Sequence, residues 1–272
     1  MTDEAPRLRA ILDTTVPNQA RIANYFLGGK DNFAADREAA EQILAVAPEI
    51  RVMARESQAF HARTVRYMVE QGVTQFLNIG AGIPSENNTH QIARSLAPEA
   101  RVVYVSNDPV VLSHSRALLA TDAKTGVVEG DIMHPAELMA DAGLRRVIDV
   151  SRPVGIVVLS SLQFIPDEDD PYKRVAELRD LLAAGSHLMI VHAVFDSRPE
   201  VAPPIVNVYR RVFGRIEDAS RRRAEVMGFF DGFEMVEPGL VYIRAWRPDN
   251  PLNVHNPDKA WLVGGVGRKP AP

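Results

Sequence analysis

The sequence predicts an α/β fold, a parallel βα array closed by an antiparallel hairpin. Three observations predict it. Short apolar runs of buried-strand type recur at residues 73–79, 101–105, 125–129, 153–159 and 186–194, with helix-length segments between them. A Gly80-Ala81-Gly82 turn follows the first run, and Ser106-Asn107-Asp108-Pro109 ends the second. Finally, the strand-like segments 233–247, broken by Pro238-Gly239, and 261–268 have no helix between them, so they pair most simply antiparallel.

Composition sets the bounds. The chain has 272 residues, 46% of them hydrophobic, enough for one large α/β domain or a domain with a lid. It has no cysteine, which excludes thiol catalysis, disulfides and thiolate metal sites. A net charge of -4 does not advertise a nucleic-acid partner. No apolar run approaches the roughly 18 residues of a membrane span. Met1-Thr2-Asp3-Glu4 lacks a signal-peptide layout, so the expectation is a cytoplasmic protein without membrane partners. A homo-oligomer is compatible with all of this.

The chain opens with a helical prelude. Residues 1 to about 16 are polar and read as loosely held. Pro17 opens a helix carrying Ile22, Tyr25 and Phe26, which stops at Gly28-Gly29. Further helices are expected over 34–46 and 50–71, the second with Ile50, Met53, Phe60 and Met68 at helical spacing. The prelude is either a layer packed on the sheet or a lid over a ligand. A lid would turn Tyr25, Lys30, Asn32 and Phe33 inward.

The first βα unit carries the strongest chemical signal. Glycines allow a tight turn and close approach of a ligand to the backbone, and an acidic group after the second strand can accept from a ribose. A dinucleotide fingerprint needs a third glycine, where this chain has Ser85 after Pro84. A P-loop is missing too, because Gly28-Gly29-Lys30 lacks the upstream glycine and the following Ser or Thr. The remaining cofactor has an adenosine and no phosphate, as S-adenosylmethionine does.

After a helix at 110–120, the third strand is closed by Gly130-Asp131-Ile132. Asp131 is placed to bond the exocyclic amine of an adenine, or else it is a turn or helix-capping aspartate ahead of His134-Pro135. Ser160 and Ser161 lie past the carboxyl end of the fourth strand, where ligands bind in open α/β sheets. Asp167-Glu168-Asp169-Asp170 reads as a solvated turn, with Asp170 capping a helix that starts at Pro171, rather than as a metal site.

His192, near the end of the fifth strand, is either a general base or a packed core histidine. Residues 196–219 form an insertion whose helix, near 205–213, lines a substrate pocket through Tyr209. Arg210, Arg211, Arg215, Arg221, Arg222 and Arg223 interleave with Glu217, Asp218 and Glu225, which reads as a solvated face. That stretch has no aromatic stacking pattern for nucleic acid.

These features resemble a class I S-adenosylmethionine-dependent methyltransferase. More narrowly, the run from Tyr25-Phe26-Leu27-Gly28-Gly29-Lys30 through Asp31-Asn32-Phe33-Ala34-Ala35-Asp36-Arg37 resembles the leading motif of a bacterial family once catalogued as a domain of unknown function and renamed S-adenosyl methyltransferase. Asn88-Thr89-His90, Phe230-Asp231-Gly232 and Glu237-Pro238-Gly239 look like its later landmarks. The resemblance implies a Rossmann-like, seven-stranded sheet of order 3-2-1-4-5-7-6 with strand 7 antiparallel. It implies a lid over residues 1–72 and a methyltransferase core over 73–272.

By the same resemblance Gly80, Ala81 and Gly82 hold the methionine end of the cofactor, and Asn107, Asp108 and Pro109 follow the ribose strand. Asp131 and Ile132 flank adenine, and Ser160 and Ser161 sit near the sulfonium. The chain departs from the family in having Asn78 before the turn and Ser106 where an acid is usual. Two functions follow. One is methyl transfer to a small-molecule acceptor, with His192 as the first candidate base. The other is a non-catalytic S-adenosylmethionine-binding or regulatory protein that retains the fold.

Overall fold

Strand β1 (Gln75–Ile79) sits mid-sheet, buried along its whole length, between β2 (Arg101–Ser106) and β4 (Gly155–Leu159). The structure is a computed structural model that describes residues 13–213 and 221–271. β3 (Thr125–Glu129) extends the sheet beyond β2, and β5 (His187–Ala193) extends it beyond β4, all in parallel. The last strand, β8 (Leu262–Arg268), lies antiparallel to β5. The order is β3-β2-β1-β4-β5-β8-β6, as expected for the class I methyltransferase fold.

The strand-like segment expected at 233–247, broken at Pro238-Gly239, lies beside β8 and is shorter than expected on both sides of the break. It holds two short pieces, β6 (Glu234–Met235) and β7 (Val241–Tyr242), both antiparallel to β8. Between them the chain turns through a cis Glu237–Pro238 bond, closed by Gly239 N donating to Val236 O at 2.8 Å. Proline has no N–H to give to a ladder, so the strand must leave its partner there.

Alternation along the strands sorts the core into two layers. Phe76, Val102, Tyr104, Val157, Met189 and Val191 face one side; Leu77, Val103, Val105, Ile156, Val158 and Ile190 face the other. Helix α3 (Ile50–Glu70) covers the first side, with Phe60 and Met68 fully buried. Arg63 of α3 donates to the carbonyls of Trp246 and Ile243 at 3.0 and 2.7 Å, tying the prelude to the far end of the chain. Helices α4 (Thr89–Leu96) and α5 (Pro109–Leu118) follow β1 and β2. α6 (Pro135–Ala140), α7 (Ala142–Val147) and α8 (Pro171–Leu181) cover the second side through Leu138, Leu144 and Leu178.

A satellite cluster joins α1 (Gln19–Phe26), α2 (Ala34–Val46) and α9 (Ala202–Phe213), packing Ile22, Phe26 and Ile43 with Val208. α9 begins ahead of the predicted start at 205, despite Pro203 and Pro204, because the first turn of a helix needs no intrahelical N–H donors. A short α10 (Arg223–Met227) continues as a 3-10 turn to Phe230. The expectation for residues 1–12 and the readings of Arg215, Glu217 and Asp218 lie outside the described residues.

Candidate active site

Two turns face each other where the parallel sheet changes direction, between β1 and β4, the position at which open α/β sheets bind ligands. After β1, Gly80 takes a left-handed conformation at φ 72°, and Ala81 N donates to Val105 O at 2.9 Å. After β4, Ser160 is left-handed at φ 56°, and its N–H donates to Val191 O at 3.0 Å. The turns approach so closely that a Cβ on Gly80 would lie 2.9 Å from Ser161 Cβ and Oγ. A Cβ on Gly82 would meet nothing within 4 Å, because it projects into the open cleft.

At the end of β2 the chain turns into α5 under Asp108. Its Oδ1 accepts from Val110 N and Val111 N at 2.8 and 2.9 Å, a carboxylate N-cap. Its second oxygen accepts from Asn18 Nδ2 of the prelude. Asp108 N donates to Ser106 Oγ at 3.2 Å, so Ser106 holds the backbone of Asp108.

One cleft of about 650 Å³ runs from these turns to the underside of the prelude. That is within the roughly 300–1,000 Å³ of small-molecule sites. Of the expected cofactor residues it gathers Gly80, Ala81, Gly82, Asn107, Asp108, Ser160 and Ser161, with Tyr209 on its far wall. Pro109, Asp131, Ile132 and His192 are not among its walls.

Asp131 behaves as the turn aspartate of the second expectation: Oδ1 accepts from Met133 N at 2.8 Å and lies 3.1 Å from His134 Nδ1. Its other oxygen accepts from Asn107 Nδ2 at 3.4 Å, which links it to the cleft at one remove. Ile132 is buried in the second core layer.

The general-base reading of His192 is corrected. Its ring is wholly buried, stacked on Phe229, with Nδ1 2.6 Å from Ala193 O and Nε2 3.2 Å from Arg221 Nη1. Both nitrogens are thus occupied, and burial pushes its pKa down to about 4. Its partner Arg221 leaves the solvated face expected of the arginine stretch. It is buried, donating to Leu162 O, Ile165 O and Asp167 at 2.9, 2.6 and 2.6 Å beneath the Tyr172 and Phe229 rings. Asp167 is therefore an ion-pair partner. Asp170 precedes α8 in a left-handed conformation with no side-chain cap bond, so the capping role expected of it is not made.

The inward-facing set expected in the prelude is corrected as well. Tyr25 bonds Glu41 and lies under Arg51, Lys30 is exposed, and Phe33 is half-exposed against Arg21. Asn32 is buried, but its amide donates to Asn24 Oδ1 and Gly29 O at 3.0 and 2.9 Å. Gly29 leaves no room for a side chain, since a Cβ there would stand 2.3 Å from the Asn24 amide. Asp36, fully buried, accepts from Asn18 N, Arg21 Nε and Phe33 N at 2.8, 2.7 and 2.8 Å. The leading motif is thus a self-bonded clasp that sets α1 over the cleft. The residues it turns inward are Asn18, Ile22, Asn24 and Phe26.

α3 adds a wall residue that sequence reasoning missed. His61 Nε2 lies 3.0 Å from Thr89 Oγ1, which also accepts from Asn78 Nδ2 at 3.0 Å. His61 Nδ1 has no partner, and burial holds the pKa of the ring down at about 4. His61 repeats the spacing of Met53, Ser57, Thr64 and Met68 along one helix face, a signal available in the sequence. The cleft residues Ser161 and Trp261 likewise carry buried polar atoms without partners, Oγ and Nε1.

Strand order and the antiparallel last strand are those of the class I methyltransferase fold. A family model described as S-adenosyl methyltransferase matches residues 5–270, and the chain belongs to that family. A DUF574 family protein from Streptomyces avermitilis superposes with a TM-score of 0.89 at 37% identity, covering 95% of this chain and 99% of that one. A candidate methyltransferase from Thermobifida fusca gives 0.88 at 38%, covering 95% and 97%. The plantazolicin methyltransferase BamL, solved with a triazolic desmethylPZN analog and SAH, gives 0.52 at 11% over 92% and 95%, a likeness of fold. A search of curated proteins found no match. The protein is an S-adenosylmethionine-dependent methyltransferase, and among its described residues no helix is long and apolar enough to cross a membrane.

Proposed function

We propose that this methyltransferase acts on a small molecule enclosed between the sheet and the helical prelude, with residues 1–72 as lid and 73–272 as core. One observation carries the reading: a single cleft joins the Gly80–Gly82 turn and Asp108 to a far wall that includes Tyr209 and Trp261. The fit of the cofactor rests on the open space at Gly82 and the orphaned Ser161 hydroxyl opposite Gly80. Gly80, Ala81 and Gly82 receive the aminoacyl end. Asp108, with Asn107 and Pro109 beside it, serves the ribose. Asp131 steadies Asn107 at the adenine end, backed by Ile132, and Ser160 and Ser161 stand by the sulfonium.

Bound there, the cofactor would supply a sulfonium methyl for in-line displacement by an acceptor lone pair, the sulfur–carbon pair staying on sulfur and the acceptor's proton leaving to bulk solvent once the product departs. The protein's share is alignment and exclusion of solvent. Among the described cleft residues none is an ionised base aimed at an acceptor, and alignment alone suffices for a reactive methyl donor.

Calorimetric titration with S-adenosylmethionine and S-adenosylhomocysteine, followed by a tritiated-methyl screen of metabolite extracts, tests the proposal. Saturable binding and label in a small-molecule fraction are expected. No binding at millimolar cofactor, or label found only in protein or nucleic acid, overturns it.

A further inference from the structure

The two halves of the cleft differ in chemistry. At the ends of β1 and β2 the walls are polar, with Asn78, Ser106 and Asp108. Past the ends of β4 and β5, beneath α9, they become aromatic. Phe164 lies 5.9 Å from Tyr209 with rings at 32°, Tyr209 lies 5.6 Å from Phe213 at 31°, and Phe195 lies 5.2 Å from Trp261 at 31°. Such tilted ring pairs offer apolar faces to a flat guest.

Formal charge is missing from this half. No lysine, arginine or glutamate lines the cleft among the described residues, and Asp108 is engaged by α5 and Asn18 at the other end. A charged acceptor seated here would lose its hydration without a counter-charge, a heavy cost.

The polar groups present are neutral donors. Gln163 spends its Oε1 on Ala193 N at 2.9 Å, which leaves its amide N–H groups for a guest. Trp261 Nε1–H has no acceptor. Burial pushes the Tyr209 hydroxyl up to about 12, so it remains a donor at neutral pH.

From this division of the cleft we infer that the methyl acceptor is an uncharged, flat aromatic small molecule bearing at least one hydrogen-bond-accepting oxygen or nitrogen. The inference rests on the proposed function, since it assigns the other half of the same cleft to the cofactor. Nucleic acid fits poorly, because phosphate recognition needs the cationic side chains that these walls lack.

The test uses the full chain saturated with S-adenosylhomocysteine, whose own binding is measured first. Three probes of one ring system are then titrated: naphthol, its carboxylated analogue hydroxynaphthoate, and its aminomethyl analogue, with the neutral hydroxynaphthamide as the size control. Naphthol is expected to bind at least about tenfold more tightly than either charged probe. Equal affinities, or preference for a charged probe, overturn the inference while leaving methyl transfer standing. Failure to bind S-adenosylhomocysteine sinks both, and is seen before any probe is added.

A second arm uses Val206→Lys, which adds a cation to the α9 wall at a partly exposed position. It is expected to reverse the preference toward the carboxylate with cofactor affinity unchanged. An unchanged preference removes α9 from the acceptor site and overturns the inference.

Discussion

Asn18 of the prelude donates to the carboxylate of Asp108, ninety positions along the chain, at the end of the strand proposed to meet the ribose. One oxygen of Asp108 caps α5, and the other accepts from Asn18 just ahead of α1. One carboxylate thus ties α1 to the end of β2.

Asp108→Asn separates these duties. Asparagine caps a helix about as well as aspartate, so the α5 cap should hold, while its amide nitrogen, set donor to donor against Asn18 Nδ2, loosens the seat of α1. The charged acceptor for the ribose is lost, which should weaken S-adenosylmethionine by about 1.5–3 kcal/mol, tenfold or more in Kd. Calorimetry that finds an unaltered Kd removes Asp108 from the cofactor site.

The two glycines of the turn should fail in opposite ways. Gly80→Ala combines a left-handed backbone with a 2.9 Å contact to Ser161, and should cost about 1–3 kcal/mol of folding stability. Gly82→Ala meets open space, so urea denaturation should be unmoved while cofactor affinity falls. A Gly82→Ala protein that binds as well as the parent would place the cofactor elsewhere.

Three buried histidines set an acid limit on stability. His61, His187 and His192 are each pushed down to about 4 by burial, from an ordinary value of 6.5. Between those values the unfolded chain binds protons that the folded chain refuses, so stability is full above pH 6.5 and is lost as pH falls toward 4. Each histidine contributes a slope of about 1.4 kcal/mol per pH unit in that window. Denaturant midpoints measured across it should steepen accordingly, and His192→Phe should remove one share of the slope. The same variant, assayed for methyl transfer as folded protein, should keep its pH profile; a lost acid limb would restore His192 as the base.

Asp36→Ala should release the prelude. It strands the Arg21 guanidinium without its buried partner and leaves Asn18 N and Phe33 N unpaired. Breaking such a pair costs about 3–5 kcal/mol. Early proteolytic cleavage within residues 17–46, with cofactor affinity falling alongside, is the expected signature. Unchanged cleavage would mean that the clasp does not hold the lid.

The sheet was legible because its strands are continuous apolar runs, bounded by Gly80, Pro109 and Gly185, that only a doubly covered parallel sheet requires. The edge at 234–242 was legible only in part: Pro238-Gly239 marks its break, but β-branched and aromatic residues there mark burial rather than pairing, so the shortness of the two pieces did not show. In the prelude, Tyr25, Asn32 and Phe33 look like site chemistry because they flank a polar loop between apolar helices. Their partners are Glu41, Asn24 and Arg21, pairings that exist only once α1 and α2 have docked. His61 was hidden for the opposite reason: it shares a helix face with methionines and a phenylalanine, and reads as core until the cleft beside it is seen.

Arg63 carries a consequence for how the chain is made. Its carbonyl partners lie 183 and 180 positions downstream, at Trp246 and Ile243. At about 5–20 residues per second, α3 waits on the order of 10–40 s for them to leave the ribosome. Over that interval the guanidinium must stay hydrated and Phe60 lacks its final cover, so the first helices translated are among the last to be locked.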